Sequence, residues 1–171
     1  MSEEPTLVVT APDWFTGARR NRYVAEELLK KAKSEIVILG YEVSDVNVIR
    51  ILGERSAMGV AVQVFVDRSQ ASIHDLYRHW PPNAGEAVIW EGVELSKRGT
   101  LSSLHAKALL VDQVIALVGS ANLTRSGLDN NIEVGLIVTG QVVRELRQFI
   151  ERLIERGLVK ERERLTGSRN R

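Results

Sequence analysis

Residues 105–122 read HAKALLVDQVIALVGSAN, setting His105, Lys107, Asp112, Gly119, Ser120 and Asn122 in the pattern H-x-K-x4-D-x6-G-S-x-N. The apolar runs on either side of Asp112-Gln113 predict two strands, Leu104–Val111 and Val114–Val118, joined by a tight hairpin turn. Alternate side chains of a strand share a face, so His105 and Lys107 point one way while Leu104, Ala106, Ala108 and Leu110 point the other. Pairing the two strands about Asp112-Gln113 brings Ser120 opposite His105, with Asn122 just beyond. An imidazole, an ammonium, a hydroxyl and an amide thus gather at one end of a hairpin. A neutral imidazole can attack phosphorus, while an ammonium and an amide NH2 hold the non-bridging oxygens and stabilise their growing negative charge.

The flanking sequence supplies the rest of a sheet. Thr6–Thr10 reads as an opening strand closed by Ala11-Pro12. From Arg19 to Lys33, Ala25, Leu28, Leu29 and Ala32 form the stripe of an amphipathic helix. A buried strand, Glu35–Tyr41, follows. Ser44 or Asp45 then caps a helix with the stripe Val46, Ile49 and Leu52, which stops at Met58-Gly59 before a strand over Val60–Val66. That alternation is a βαβ unit, which requires parallel strands. Residues 69–103 are less regular: a short helix over Ile73–Trp80 is broken by Pro81-Pro82, a strand covers Ala87–Leu95, and Lys97-Arg98-Gly99 is an exposed basic turn. Beyond the motif lie a polar segment (Thr124–Asn131), a strand (Ile132–Val138) and a helix from Val142 to Arg156. That helix carries Val142, Leu146, Phe149, Ile150 and Leu153 on one face, with Gly157 as its stop. The predicted class is α/β, a mixed, largely parallel β-sheet flanked by helices on both faces. Residues 1–157 form the single domain, and the charged tail, 158–171, is expected to be flexible.

Bulk composition agrees with one compact domain: 171 residues, 44% apolar. There are no cysteines, which excludes disulfides and thiolate metal sites. A net charge of +1 leaves nucleic-acid binding open, so any phosphate-binding surface must arise from local clustering. The stretch MSEEPTLVVTAPDW lacks the features of a secretory signal, and no apolar run approaches the ~20 residues of a membrane span. The expected location is therefore cytoplasmic, without membrane association.

The motif, with Asn130-Asn131-Ile132-Glu133 downstream as an N-x-E element, resembles the signature of the phospholipase D superfamily over the segment from about Glu35 to Val138. The resemblance implies that His105 is the nucleophile of a phosphohistidine intermediate and that Lys107 and Asn122 clamp the phosphate, supported by the Ser120 hydroxyl. It implies further that Asp112 is a structural acid and that Glu133 orients the histidine and favours its correct tautomer. No metal and no other cofactor is implied, because lysines and asparagines balance the phosphate charge. In the family, the histidine of a second motif protonates the leaving oxygen and then activates water. This chain holds one copy and no second H-x-K, which resembles the short nucleases of the superfamily in which two identical subunits share a site. The resemblance thus implies a homodimer. TGARR, GYEVSD, a tryptophan in the strand before SSLHAK, and a last helix ending in RGLV resemble the phospholipase D-like component of DISARM-type anti-phage defence systems. Other defence-system proteins are then expected partners.

The function expected on this reading is a metal-independent phosphodiesterase acting on nucleic acid, DNA in the first instance. The alternative is a catalytically silent or partner-activated nucleic-acid-binding subunit of a defence complex. Arg125, directly after the motif, is a candidate substrate-backbone contact. Arg19, Arg20 and Arg22 read equally as phosphate contacts or as a solvated helix start. His74 and His79, at i and i+5, do not share a helical face and read as surface residues rather than metal ligands. Trp14, Trp80 and Trp90 read as anchors of a core or a dimer interface.

Overall fold

A computed structural model describes residues 4–12, 15, 17–67, 71–93, 103–162 and 164–167. In chain order these residues form β1 (Thr6–Thr10), β2 (Arg19–Arg20), α1 (Asn21–Lys31), β3 (Glu35–Gly40), α2 (Val46–Ala57), β4 (Ala61–Val66), α3 (Ala71–His79) and β5 (Ala87–Gly92). There follow β6 (Ala108–Val111), β7 (Ile115–Gly119), a π-helical turn (Ser126–Asn130), β8 (Glu133–Thr139), α4 (Gln141–Glu155) and β9 (Val159–Glu161). The strands make one sheet in the order β2-β1-β8-β7-β6-β3-β4-β5-β9.

The class is α/β with helices on both faces, but the sheet is mixed rather than largely parallel. β3, β4 and β5 are parallel, as the crossovers through α2 and α3 require, and β1 pairs parallel with β2. The β1–β8, β7–β8, β6–β7, β3–β6 and β5–β9 pairs are antiparallel. The connection between β6 and β7 is too short for a crossover, so those strands must run antiparallel.

Strand parity divides the core. Ile36, Ile38, Val62, Val64, Leu109 and Val111 point into the layer beneath α1, α2 and α3, whereas Val37, Leu39, Phe65, Ala108 and Leu110 point toward α4. The start of α2 is fixed by Asp45, whose carboxylate accepts from Val48 N at 3.0 Å. Trp80 is buried and its indole donates to Gly85 O at 3.2 Å, while Trp90 stacks on Phe65 with centroids 5.6 Å apart. Both are core residues. Trp14 and the basic turn at Lys97-Arg98-Gly99 lie outside the described residues.

Two expectations are corrected. The strand expected from Leu104 begins at Ala108, because its neighbour β3 ends at Gly40. There the chain turns so tightly that a Cβ would stand 2.8 Å from Val43 Cγ2. Residues 103–107 therefore have no strand to pair with on that side. The tail from 158 onward, expected to be flexible, instead supplies β9, paired antiparallel to β5 with Trp90 opposite Glu161 and Gly92 opposite Val159. Leu165 follows, 1% exposed, and exchanges backbone hydrogen bonds with Ala87 at 2.9 and 3.0 Å. Its charges are partnered: buried Glu91 accepts from Arg162 Nε at 2.9 Å and lies 3.5 Å from Lys160 Nζ. A short apolar run and one leucine are enough to cap the sheet edge left by β5. Residues 168–171 lie outside the described residues.

Candidate active site

The site is built where β3 and β7 end and β6 begins. Lys107, half-buried, places Nζ 3.1 Å from His105 Nδ1 and 3.5 Å from Nε2, and donates to His105 O at 2.8 Å. An ammonium can only donate, so a ring nitrogen that takes a hydrogen bond from it must be the unprotonated one. Burial pushes the Lys107 ammonium below its ordinary value, and the Glu133 carboxylate opposes that by favouring the charged form. Tyr41 closes the group: its ring lies 4.9 Å from the exposed His105 ring at 52°, and Lys107 Nζ is 5.8 Å from its centroid.

The hairpin returns the other motif residues, one position away from the expected register. Asp112 and Gln113 adopt positive φ (53° and 60°), but Val111 pairs with Ile115, so Val114 joins the turn. Continued past the Ala108–Val118 pair, this register sets Gly119 opposite Lys107, its N–H donating to Lys107 O at 3.3 Å, and moves Ser120 off the position opposite His105 where the sequence places it. Glycine is required there, since a Cβ would sit 2.4 Å from Val134 O. Ser120 Oγ donates to Glu133 Oε2 and accepts from Val134 N at 3.1 Å, while Asn131 Nδ2 donates to Glu133 Oε1 at 3.1 Å. Glu133 is thus held by Ser120 and Asn131 and makes no hydrogen bond to His105 within this chain. Asn122 Oδ1 is buried without a hydrogen-bond partner among the described residues, beside a cavity of about 20 Å³ lined in part by Asn21, Lys107 and Gly119.

Asp112 stands at the opposite end of β6, roughly 20 Å along the chain from His105 at strand spacing. Its carboxylate accepts from the backbone N–H groups of Lys33 (2.9 Å), Ser34 (2.7 Å) and Glu35 (3.0 Å) and from Ser34 Oγ (2.8 Å). Burial alone would raise its pKa, but these donors outweigh burial and hold it at about 2. A group with a depressed folded-state value contributes stability above its unfolded value and loses it as pH falls through the folded one. Asp112→Asn is therefore expected to cost roughly 1–3 kcal/mol at neutral pH. It should also flatten the fall in stability between about pH 4 and pH 2, as measured by denaturant midpoints across that range.

Three positioning residues stand near the site that the sequence reading either missed, Asp67 and Tyr41, or left open, Arg22. Asp67, buried at the end of β4, accepts from Leu104 N at 2.8 Å and Ser103 Oγ at 2.9 Å, tying down the residues just before His105. Arg22 is not left to solvent at the helix start. It binds both oxygens of Asp45 (3.0 and 2.8 Å) and of Asp129 (2.8 and 2.5 Å), locking the π-helical turn to α1 and α2. The Asp129 and Asp45 hydrogen bonds raise the Arg22 pKa further above the ordinary guanidinium value. Tyr41 is the third. A strand-terminal acid in VQVFVD and a strand-terminal aromatic in ILGY are the only local signals for Asp67 and Tyr41. Arg19 pairs with Glu27 and Arg20 with Ala11 O, so neither is spare for substrate. Arg125, exposed at the head of the π-helical turn, makes no hydrogen bond or salt bridge among the described residues, and its charge helps hold the nearby Asp129 carboxyl below its ordinary value. His74 and His79 lie on α3, and among the described residues no group of three or more His, Cys, Asp or Glu could hold a metal. Among the described residues no helix is long and apolar enough to cross a membrane.

A mixed sheet bringing H-x-K and G-S-x-N together at its strand ends is the architecture of the phospholipase D superfamily. Similar solved structures are NucT from Helicobacter pylori (TM-score 0.67, 17% identity, 89% of this chain and 97% of that one) and the phospholipase D family member Nuc from Salmonella typhimurium (TM-score 0.66, 18% identity, 94% and 99%). Phosphatidylserine synthase from Haemophilus influenzae shares the fold over 92% of this chain and 39% of its own (TM-score 0.65, 15% identity). Residues 26–154 match the family described as cardiolipin synthase, PLD-like domain, and the chain belongs to that family. It is also similar to the DISARM protein DrmC of Bacillus paralicheniformis, with 30% identity over 142 residues, 80% of this chain. The match spans 57% of that relative's length.

Proposed function

We propose that the chain is a metal-independent phosphodiesterase acting on nucleic acid, DNA in the first instance, through a covalent phosphohistidine at His105, with two copies of the chain forming the complete site. The observation that carries this reading is the contact of Lys107 with His105 at an exposed strand end, 3.1 Å from Nδ1. A ring nitrogen of His105 gives its lone pair to phosphorus, and the bond from phosphorus to the leaving oxygen breaks. His105 of the second copy supplies the proton to that oxygen. The same imidazole then takes a proton from water, whose oxygen attacks phosphorus and releases His105. Lys107 and Asn122 hold the non-bridging oxygens throughout, and Arg125 contacts the flanking backbone. The similarity to a DISARM protein supports a place among anti-phage defence proteins, where nucleic acid is the natural phosphodiester.

One observation favours the second reading, a subunit that holds phosphate without turnover until a partner activates it. In a single chain Lys107 occupies Nδ1 and Glu133 does not touch the ring, so nothing yet selects an attacking nitrogen. The two readings separate in one experiment: purified protein of measured oligomeric state is given single- and double-stranded DNA, RNA and a simple phosphodiester in excess chelator. Cleavage and a phosphoprotein recovered after an alkaline denaturing quench, where a phosphoramidate survives, are expected. Salt-sensitive binding with neither product nor adduct would leave only the phosphate-holding reading.

A further inference from the structure

We propose that Tyr41 is a positioning residue for the half-site: its ring face keeps the Lys107 ammonium charged and in register with His105, and stabilises the positive charge that the imidazole takes on when it bonds to phosphorus. The inference rests on the reading of His105 and Lys107 as nucleophile and phosphate clamp.

The three groups form a closed triangle, with His105 4.9 Å from the Tyr41 ring, Lys107 Nζ 5.8 Å from it, and Nζ 3.1 Å from Nδ1. A tyrosine ring presents a negative face, which attracts an ammonium within about 6 Å and any cationic partner stacked near it. The loop carrying Tyr41 is not free to drift. Val43 forms a β-bridge with Leu123, and Ser44 N and Asp45 N both donate to Leu123 O, at 3.1 and 3.0 Å. Leu123 adjoins Asn122, so the ring is fixed to the same backbone that carries the clamp amide. The groups acting on Lys107 are few: His105 from its own segment, Tyr41 from the end of β3, and the Glu133 carboxylate from β8. Burial works against the ammonium, which is supported by the Glu133 carboxylate, by the His105 carbonyl and ring nitrogen in hydrogen-bond range, and by the aromatic face. Glu133 is itself engaged by Ser120 and Asn131, and the His105 acceptors belong to the segment of Lys107 itself, so the ring is the support in contact range that a separate element contributes.

The test uses the full chain with Tyr41→Phe, Tyr41→Leu and Tyr41→Trp. Lysine Cε signals of labelled protein are followed against pH without substrate, the Lys107 signal being identified by its loss in Lys107→Gln. Tyr41→Phe should leave the Lys107 titration in place, Tyr41→Leu should lower it by about half a pH unit, and Tyr41→Trp, the stronger cation-binding ring, should move it upward. In cleavage assays the alkaline limb should move with that titration, and kcat should fall about 10-fold in Tyr41→Leu and less than about 2-fold in Tyr41→Phe. The proposal is overturned if Tyr41→Leu titrates like the native chain, or if Tyr41→Phe is as damaging as Tyr41→Leu, which would make the hydroxyl responsible. Should Tyr41→Leu fail to fold, an unmoved or lowered titration in Tyr41→Trp overturns it equally. Because the titration needs no turnover, it reports on Tyr41 even if the chain proves inert on phosphodiesters.

Discussion

His105→Ala is expected to lower phosphodiester cleavage by about 10⁴-fold or more while leaving the thermal midpoint within about 2 °C of the native chain. The asymmetry follows from its place in the fold. His105 is exposed, lies outside the sheet ladder, and loses only its contacts with Tyr41 and Lys107 on truncation. Surface changes of that kind stay within about 0.5 kcal/mol. A nucleophile has no substitute, and the water that remains must attack without a covalent intermediate. The same variant tests whether two copies share one site. If both histidines are needed, a mixed dimer is inactive, so adding the variant to native protein should suppress native activity. At nine variant copies per native copy, about one native subunit in ten keeps a native partner after exchange, and the rate should fall to about a tenth. Native activity unchanged by excess variant would mean that one chain is sufficient, and the shared site would have to be abandoned.

What the sequence reveals about this fold divides by range. Local signals were enough for the cap of α2 at Asp45 and for the burial of Ile49 and Leu52, though Val46 of the expected stripe is exposed and Val48 is buried instead, and for the parallel β3 and β4, whose runs are largely apolar on both faces. The motif likewise reports its own hairpin. The details that set the site depend on partners distant in sequence. Val114 joins the turn and shifts Gly119 opposite Lys107 because β8 fixes β7 from the other side, through Gly119 opposite Gly135. Tyr41 meets His105 only because Leu39 pairs with Ala108 across strands nearly seventy residues apart in the chain. The tail was misjudged for a related reason: charge density argued for solvation, but Leu165 needs only the open edge of β5, at Ala87, to become buried. The polar segment after the motif gave no periodicity at all, since a π-helical turn held by Arg22 and Asp129 follows neither the strand nor the α-helical repeat.

With two copies forming the site as proposed, Leu136→Glu should yield a monomer and abolish cleavage, with little change in the stability of the single chain. The sheet is unevenly covered: α1, α2 and α3 pack on one face and α4 alone on the other. On the α4 side, the β1–β8 pair therefore leaves Leu7 (46%), Val134 (55%) and Leu136 (42%) exposed, with Leu7 directly opposite Leu136. α4 itself exposes Val142 (50%) and Phe149 (49%) rather than burying the whole stripe expected of it. Exposed apolar pairs such as Leu7 and Leu136 are the kind of surface that marks an interaction site. In the proposed two-copy assembly a two-fold axis would cover both surfaces at once, α4 of each copy lying on the β1–β8 face of the other. The patch also borders the half-site, since Val134 N donates to Ser120 Oγ and Ser120 N to Val134 O. A carboxylate at 136 stays hydrated in one chain but must lose its water twice across a two-fold interface, a penalty of several kcal/mol for each copy. Light scattering should find monomer, circular dichroism an unchanged fold, and the chelator-containing assay no product. Met58→Glu, at a more exposed side chain (71%) on the end of α2, serves as the control and should leave oligomeric state and activity as in the native chain. If Leu136→Glu stays dimeric and active, the two copies meet through another face, and the exposed β1–β8 surface must be explained by a different partner.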